Sequence, residues 1–202
     1  KVRNNQLAPA DYELLNQRYH SDFRPPVAES WITLTSHNHQ ADAINQLKLQ
    51  QLPGRSMLFE ARIEDEFPDN IFPADARLLL KEGAQVMFIK NDVVGKKYFN
   101  GKIGRVVTLE DDLIVVECGT EKIEVPLECW ENTRYTLNRS DEKLEQQVVG
   151  RFHQYPLRLA WAITIHKSQG LTFDRVMIDA ASSFSSGALP GRAPGIYTAA
   201  PA

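Results

Sequence analysis

The first 57 residues combine helical and strand-like spacings of apolar positions. Tyr12, Leu15 and Tyr19 recur at helical intervals, which predicts a helix. Asp11 precedes them and is the predicted N-cap. Residues 31–35 form a short apolar run, which is typical of a buried strand.

A polar turn and a second helix follow that strand. Residues 36–39 are polar, and apolar positions in residues 40–51 return at helical spacing until Pro53. Strand, turn and helix make half of a βαβ unit, whose ligands bind at the carboxyl end of the strand. Thr35, His37 and Asn38 are therefore expected at a functional edge.

Residues 58–138 lose the helical periodicity and show short apolar runs separated by tight turns. Such spacing predicts a small antiparallel barrel, in an order that resembles an SH3-like fold. The predicted strands cover residues 85–89, 105–109, 113–118 and 123–127.

Charge divides sharply within this middle region. Residues 82–107 contain five basic and two acidic side chains, whereas residues 110–131 contain eight acidic side chains and one lysine. One edge is thus suited to phosphate, although charged hairpin tips in solvent would give the same pattern. The basic residues are Lys90, Lys96, Lys97, Lys102 and Arg105.

Residues 139–184 return to an α/β pattern. We predict a strand or hairpin at residues 148–157, then an apolar segment that ends in a polar cluster at residues 164–170. The first and third regions therefore look alike, with the middle one inserted between them. Two tandem domains would give similar local signals.

Composition sets modest limits. The 202 residues are 43% hydrophobic and 9% aromatic, enough for a core in one large or two small domains. The net charge of −3 gives no general case for nucleic-acid binding, so any such site depends on local arrangement. Cys118 and Cys129 show no metal-binding spacing and suit reduced thiols of a cytoplasmic protein.

Leader and membrane signals are not found in the sequence. Residues 1–6 are polar, and no apolar run approaches the about 18 residues of a membrane span. The chain begins without methionine, so we expect it to be a piece of a longer protein.

The polar cluster at residues 164–170 is suited to a weak, releasable grip on phosphates. Thr164, His166 and Ser168 offer hydroxyl and imidazole groups, and Lys167 adds one charge. Gly170 permits close backbone approach. The alternative is an ordinary helix start, capped by Ser168 or Thr172.

Residues 155–170 resemble motif V of RecD-like helicases of superfamily 1B, and residues 31–38 resemble their motif IV. The resemblance implies an α/β fold: a RecA-like, P-loop-type domain 2A interrupted by a small SH3-like β-barrel insertion, domain 2B. We assign residues 1–57 and 139–184 to domain 2A and residues 58–138 to domain 2B.

The resemblance also implies residue roles and partners. Single-stranded DNA would be contacted by the strand-end residues, and Gln169 and Gly170 would lie toward the nucleotide cleft as coupling residues. The parent helicase would use ATP and Mg²⁺ and move 5′ to 3′. The implied DNA-contacting residues are Thr35, Asn38, Thr164, His166, Lys167 and Ser168.

The sequence departs from a complete helicase in two respects, of which the first concerns ATP binding. It has no G-x-x-x-x-G-K-[ST] phosphate loop and no magnesium-binding acidic motif. The missing partner would be an N-terminal ATP-binding RecA-like domain, so we expect this chain alone to bind no cofactor and not to hydrolyse ATP. The alternative is a non-catalytic module that binds nucleic acid or protein.

The tail at residues 185–202 is rich in proline and small residues, which predicts disorder. The family's motif VI arginine, expected soon after Phe184, is absent, and Arg192 is a poor substitute. A neighbouring reading frame across residues 188–197 would give a motif VI-like string with suitable codons. A frame change is therefore one hypothesis for this tail.

Overall fold

The computed structural model describes residues 6–20, 23–26, 29–138, 143–179 and 196–199. The chain divides into two compact units, the first made of Lys1–Gln50 with Ala160–Ala202 and the second of Gln51–Leu159. The boundaries expected from the sequence, at 57/58 and 138/139, differ from these limits. Residues 143–159 form strands of the second unit, which explains the later boundary.

Helices and strands succeed one another as follows, with a short 3-10 helix at Asp69–Ile71: α1 (Pro9–Asn16), β1 (Tyr19–His20), β2 (Ile32–Thr35), α2 (Asn38–Gln51), β3 (Met57–Glu60), β4 (Arg62–Asp65), β5 (Arg77–Leu80), β6 (Gln85–Phe88), β7 (Ile103–Leu109), β8 (Ile114–Cys118), β9 (Glu121–Glu124), β10 (Glu128–Asn138), β11 (Lys143–Gln154), β12 (Leu157–Leu159), β13 (Ala162–Thr164), α3 (Ile165–Ser168), β14 (Val176–Asp179) and β15 (Ile196–Ala199).

The first unit contains a five-stranded mixed sheet in the order β1-β15-β14-β2-β13. Strands β14, β2 and β13 are parallel, and β15 is antiparallel to both β14 and β1. Helix α2 buries Ala41, Asn45 and Leu49 on one face, at the spacing that an α-helix requires. This unit therefore has the α/β character that the sequence predicts.

The start of α1 differs from the prediction. The helix begins at Pro9, and the Asp11 carboxylate accepts a 2.9 Å hydrogen bond from the Ala8 amide. Asp11 therefore lies inside the first turn and satisfies the amide of the residue before the helix, so it is not the N-cap. Tyr19, expected on the same helix, lies in strand β1.

The predicted tail needs a partial correction. Ile196–Ala199 forms β15 in the first sheet, so the expectation of disorder is wrong for these four residues. β-Branched and aromatic residues favour strands, and three of the four are of these types. Residues 185–195 and 200–202, including Arg192, lie outside the described residues.

The second unit is built from three sheets. Their orders are β12-β6-β7-β8-β9, β10-β11-β4 and β3-β5, and all their described pairings are antiparallel. The prediction of a closed barrel is wrong. In the described chain β12 and β9 are the edges of the five-stranded sheet, and β10 pairs with β11 instead of closing it.

Two buried side chains of β11 organise this unit. Gln154 donates from Nε2 to the carbonyl oxygens of Phe59 (3.0 Å) and Asp75 (3.1 Å) and accepts from the Tyr155 amide (2.9 Å). Phe152 is fully buried among aromatic rings that include Phe67. The core of the second unit therefore depends on the strand that leads back to β12.

Candidate nucleic-acid interface

Two parallel strands of the first unit end side by side. Thr35, the last residue of β2, is the register partner of Thr164, the last residue of β13. Helix α2 begins three residues after Thr35, and α3 begins directly after Thr164. The motif IV-like and motif V-like segments therefore meet at the carboxyl edge of the sheet, where α/β folds bind ligands.

A buried amide fixes β13 in this position. Asn45 of α2 donates from Nδ2 to the Ala162 carbonyl (2.8 Å) and accepts from the Ala162 amide at Oδ1 (2.9 Å). The side chain is 7% exposed. The apolar pattern of the sequence does not single out this residue, although an asparagine in the register of Ala41 and Leu49 is a usable signal.

The turn after β2 uses its polar groups internally. Thr35 is 1% exposed, and its hydroxyl donates to the His37 carbonyl at 3.2 Å. The Ser36 hydroxyl lies 2.9 Å from Nδ1 of His37, and the rings of His37 and His39 are 5.2 Å apart. Asn38 is exposed as the first residue of α2. Thr35 therefore shapes the turn, and Asn38 faces solvent.

The turn after β13 also uses its polar side chains to bond its own backbone. Thr164 is 5% exposed and caps α3, because its Oγ1 accepts from the Lys167 amide at 3.4 Å. The Ser168 hydroxyl donates to the Ile165 carbonyl at 2.7 Å. The alternative with Ser168 or Thr172 as the cap is wrong for α3, since Thr164 takes that position.

The exposed residues of this segment lie in α3 and in the two positions that follow it. His166, Lys167, Gln169 and Gly170 are exposed. Gly170 has φ +80°, and a Cβ added there would meet no atom within 4 Å. The chain turns through this left-handed residue after α3. The exposed His166 and Lys167 lie two and three residues after the buried Thr164.

The described residues contain no group of three His, Cys, Asp or Glu side chains that could bind a metal ion. The chain also lacks the phosphate-loop lysine. These donors do not fit ATP with Mg²⁺, so we assign no step of ATP hydrolysis to them.

No helix in the described segments is long and apolar enough to cross a membrane.

Sequence comparison places similar proteins in one class. No protein-family model matches the chain. The ATP-dependent DNA helicase PIF1 of Xenopus laevis is 35% identical over 163 residues, covering 76% of this chain and 24% of that protein. The human ATP-dependent DNA helicase PIF1 is 36% identical over 166 residues, with the same two coverages. The chain thus spans about a quarter of the length of these relatives.

Structural comparison agrees. Bacteroides sp Pif1 in complex with ADP-AlF4 is similar with a TM-score of 0.79 and 36% identity, over 88% of this chain and 40% of that one. Bacteroides Pif1 bound to ssDNA has a TM-score of 0.68 and 36% identity, over 91% and 42%. The chain has a mixed α/β structure like that of the Pif1 helicase and is homologous to a segment of the PIF1 ATP-dependent DNA helicases of superfamily 1B.

Proposed function

We propose that this chain is the C-terminal motor portion of an ATP-dependent DNA helicase that moves along single-stranded DNA. The observation that supports it is the register pairing of Thr35 with Thr164, which joins the motif IV-like and motif V-like segments at one sheet edge. Relatives named as DNA helicases, and a Pif1 structure with ssDNA, support the nature of the ligand.

We assign the first unit to domain 2A and the second to the inserted domain 2B. The five antiparallel strands of its largest sheet support an SH3-like relationship for 2B, without a closed barrel. Within superfamily 1B, the resemblance of residues 155–170 supports a RecD-like relationship and 5′ to 3′ movement. A cytoplasmic location stays a prediction.

The proposed DNA-contacting residues fall into two groups, exposed residues and residues that bond to their own turns. Asn38, His166 and Lys167 are exposed and are the proposed direct contacts with phosphates. Thr35, Thr164 and Ser168 bond to their own turns and are proposed to position those contacts. Phosphate contacts from only a few charged side chains suit a motor, because the protein must release the DNA strand at each step.

Gln169 and Gly170 are the proposed coupling residues. They are exposed immediately after α3, and Gln169 offers both a donor and an acceptor. ATP and Mg²⁺ would bind with an N-terminal RecA-like domain of the same protein. We therefore expect no ATP hydrolysis from this chain alone, because phosphoryl transfer requires the lysine and metal ligands of that domain.

The binding proposal is tested with a fluorescently labelled oligothymidine titrated at several salt concentrations. Lys167→Ala should weaken binding and reduce the slope of log affinity against log salt by about 0.7, the value for one phosphate contact on a single strand. Lys122→Ala removes an exposed lysine from the acidic β8–β9 hairpin and is the matched control. Equal affinities for both variants would refute the proposed contact.

A second candidate function is nucleic-acid or protein binding by the 90–102 loop of the second unit. Its tip presents Val93 and Val94, which is 96% exposed, beside the exposed Lys96 and Lys97. The double change of Lys96 and Lys97 to alanine separates the two hypotheses. If it abolishes binding while Lys167→Ala and His166→Ala have no effect, the binding surface is the 90–102 loop. The carboxyl ends of β2 and β13 are then not the binding surface.

A further inference from the structure

A thiol, an imidazole and a carboxylate lie together on one face of the three-stranded sheet of the second unit. Cys129 in β10 and His153 in β11 are direct cross-strand partners, with Sγ and Nε2 3.9 Å apart. Glu64 in β4 places Oε1 3.5 Å from the same nitrogen. Sγ is also 3.9 Å from the carbonyl oxygen of Trp130. The imidazole nitrogen thus faces both a possible proton donor and an anion.

Charged side chains surround the thiol and the imidazole. The hydrogen bond from Arg62 lowers the pKa of the Glu64 carboxyl, so this group is ionised at neutral pH. Its negative charge compensates a proton that the imidazole takes from the thiol. Lys90 donates from Nζ to the Cys129 carbonyl at 3.0 Å, and the same ammonium is ion-paired with the Glu128 carboxylate at 2.6 Å. Cys129 itself is exposed, so a reagent can reach it.

The second cysteine of the chain has the opposite environment. Burial raises the pKa of the Cys118 thiol. Its Sγ is packed close to Gly104, since a Cβ added there would meet the sulfur at 2.6 Å. A thiol with a raised pKa and restricted access reacts slowly. Cys118 is therefore an internal control, and the sequence contains no third cysteine.

We propose that Cys129 is a site of reversible modification by small disulfides of the glutathione type, with His153 as the proton acceptor. The Cys129 sulfur attacks one sulfur of the disulfide, forming a protein mixed disulfide and breaking the reagent's S–S bond. The departing thiolate takes the proton that His153 accepted. One thiol and one disulfide are consumed and one of each is formed, so no further oxidant is needed. This proposal is independent of DNA binding.

The test uses the full chain with excess glutathione disulfide, followed by peptide mass mapping over time. We expect the mixed disulfide on Cys129 at least about tenfold faster than on Cys118, with release of one glutathione per event. A reductant should remove the adduct. Because the mapping is done on the unaltered protein, the result does not depend on a variant that folds. Equal rates at the two cysteines, or faster modification of Cys118, would overturn the proposal.

Variants separate assisted chemistry from simple exposure. With a chromogenic aromatic disulfide, Cys118→Ser should keep the fast equivalent and Cys129→Ser should lose it. His153→Gln should slow the reaction of Cys129 by about tenfold and change its pH–rate profile, because the proton acceptor is gone. Circular dichroism checks the fold of each variant. If His153→Gln folds and reacts at the unaltered rate over the whole pH range, the role of His153 is refuted.

Discussion

Asn45 shows how one amide can determine the position of a functional strand. It bonds to both backbone groups of Ala162, two residues before Thr164, from a buried site on α2. Asn45→Ala leaves a buried amide and carbonyl without these partners, and we expect a loss of about 2–3 kcal/mol in the free energy of unfolding. Urea denaturation measures it.

Gln46→Ala provides the matched control for this change. Gln46 is the next residue of the same helix and is exposed, so its substitution should alter stability by less than about 0.5 kcal/mol. A loss at Asn45 no larger than that at Gln46 would contradict the structural role assigned to the amide.

Thr35 and Thr164 mark what the sequence predicts about single residues. Both follow an apolar run at the end of a strand, so their place at one edge follows from the pattern, and the register pairing agrees with it. Their burial does not follow from the pattern, because it depends on bonds to His37 and Lys167 within three-dimensional turns. The sequence therefore located the edge but did not separate contacting residues from positioning ones.

At the scale of an element, Asp92 organises the 90–102 loop. Its carboxylate accepts from the backbone amides of Gly95 (2.7 Å), Lys97 (3.1 Å) and Val94 (3.2 Å). The Lys97 and Gly95 amides lower the pKa of Asp92 below its ordinary value of 3.8. The ordering is thus fully present above pH 3.8 and is lost as the pH falls through the lowered value.

We expect Asp92→Ala to release this loop at neutral pH. Amide hydrogen exchange at Val94, Gly95 and Lys97 should become faster, because the three amides lose their common acceptor. Asp111→Ala, in an exposed turn of the same unit, is the control and should leave those exchange rates unchanged. Unchanged exchange in Asp92→Ala would show that the carboxylate does not order the loop.

Strand β11 supplies the aromatic centre of the second unit. Phe152 has ring centroids 4.8 Å from Phe72 and 5.5 Å from Phe67, and its own side chain is fully buried. Phe152→Ala should cost about 3–5 kcal/mol, measured by urea denaturation, because it leaves a cavity among rings. Val148→Ala on the same strand changes a partly exposed side chain and should cost far less. Similar costs would contradict this account of the core.

The elements themselves were more predictable than their pairing. Local apolar runs located β6, β7 and β8 to within two residues, since each run of this kind requires burial. Sheet closure was mispredicted because it depends on contacts between distant segments, such as β12 with β6. The short strand Ile196–Ala199 was missed because small residues and prolines around it dominate the local composition.

At the scale of the whole molecule, we expect the two compact units to unfold in two cooperative steps. Trp31 and Trp161 belong to the first unit, and Trp130 belongs to the second. In the variant Trp130→Phe, the remaining tryptophans lie in the first unit, so tryptophan fluorescence follows the unfolding of that unit alone. In the double variant in which Trp31 and Trp161 are changed to Phe, tryptophan fluorescence follows the second unit.

The variants predicted above become selective in these two backgrounds. Asn45→Ala should lower the urea midpoint of the first unit only, as followed by Trp31 and Trp161. Phe152→Ala should lower the midpoint of the second unit only, as followed by Trp130. Each change removes contacts within one unit. If both variants lower both midpoints equally, the units unfold together. The proposed insertion would then be part of one cooperative fold. Substitutions in the second unit would then affect the carboxyl ends of β2 and β13 only by lowering the stability of the whole chain.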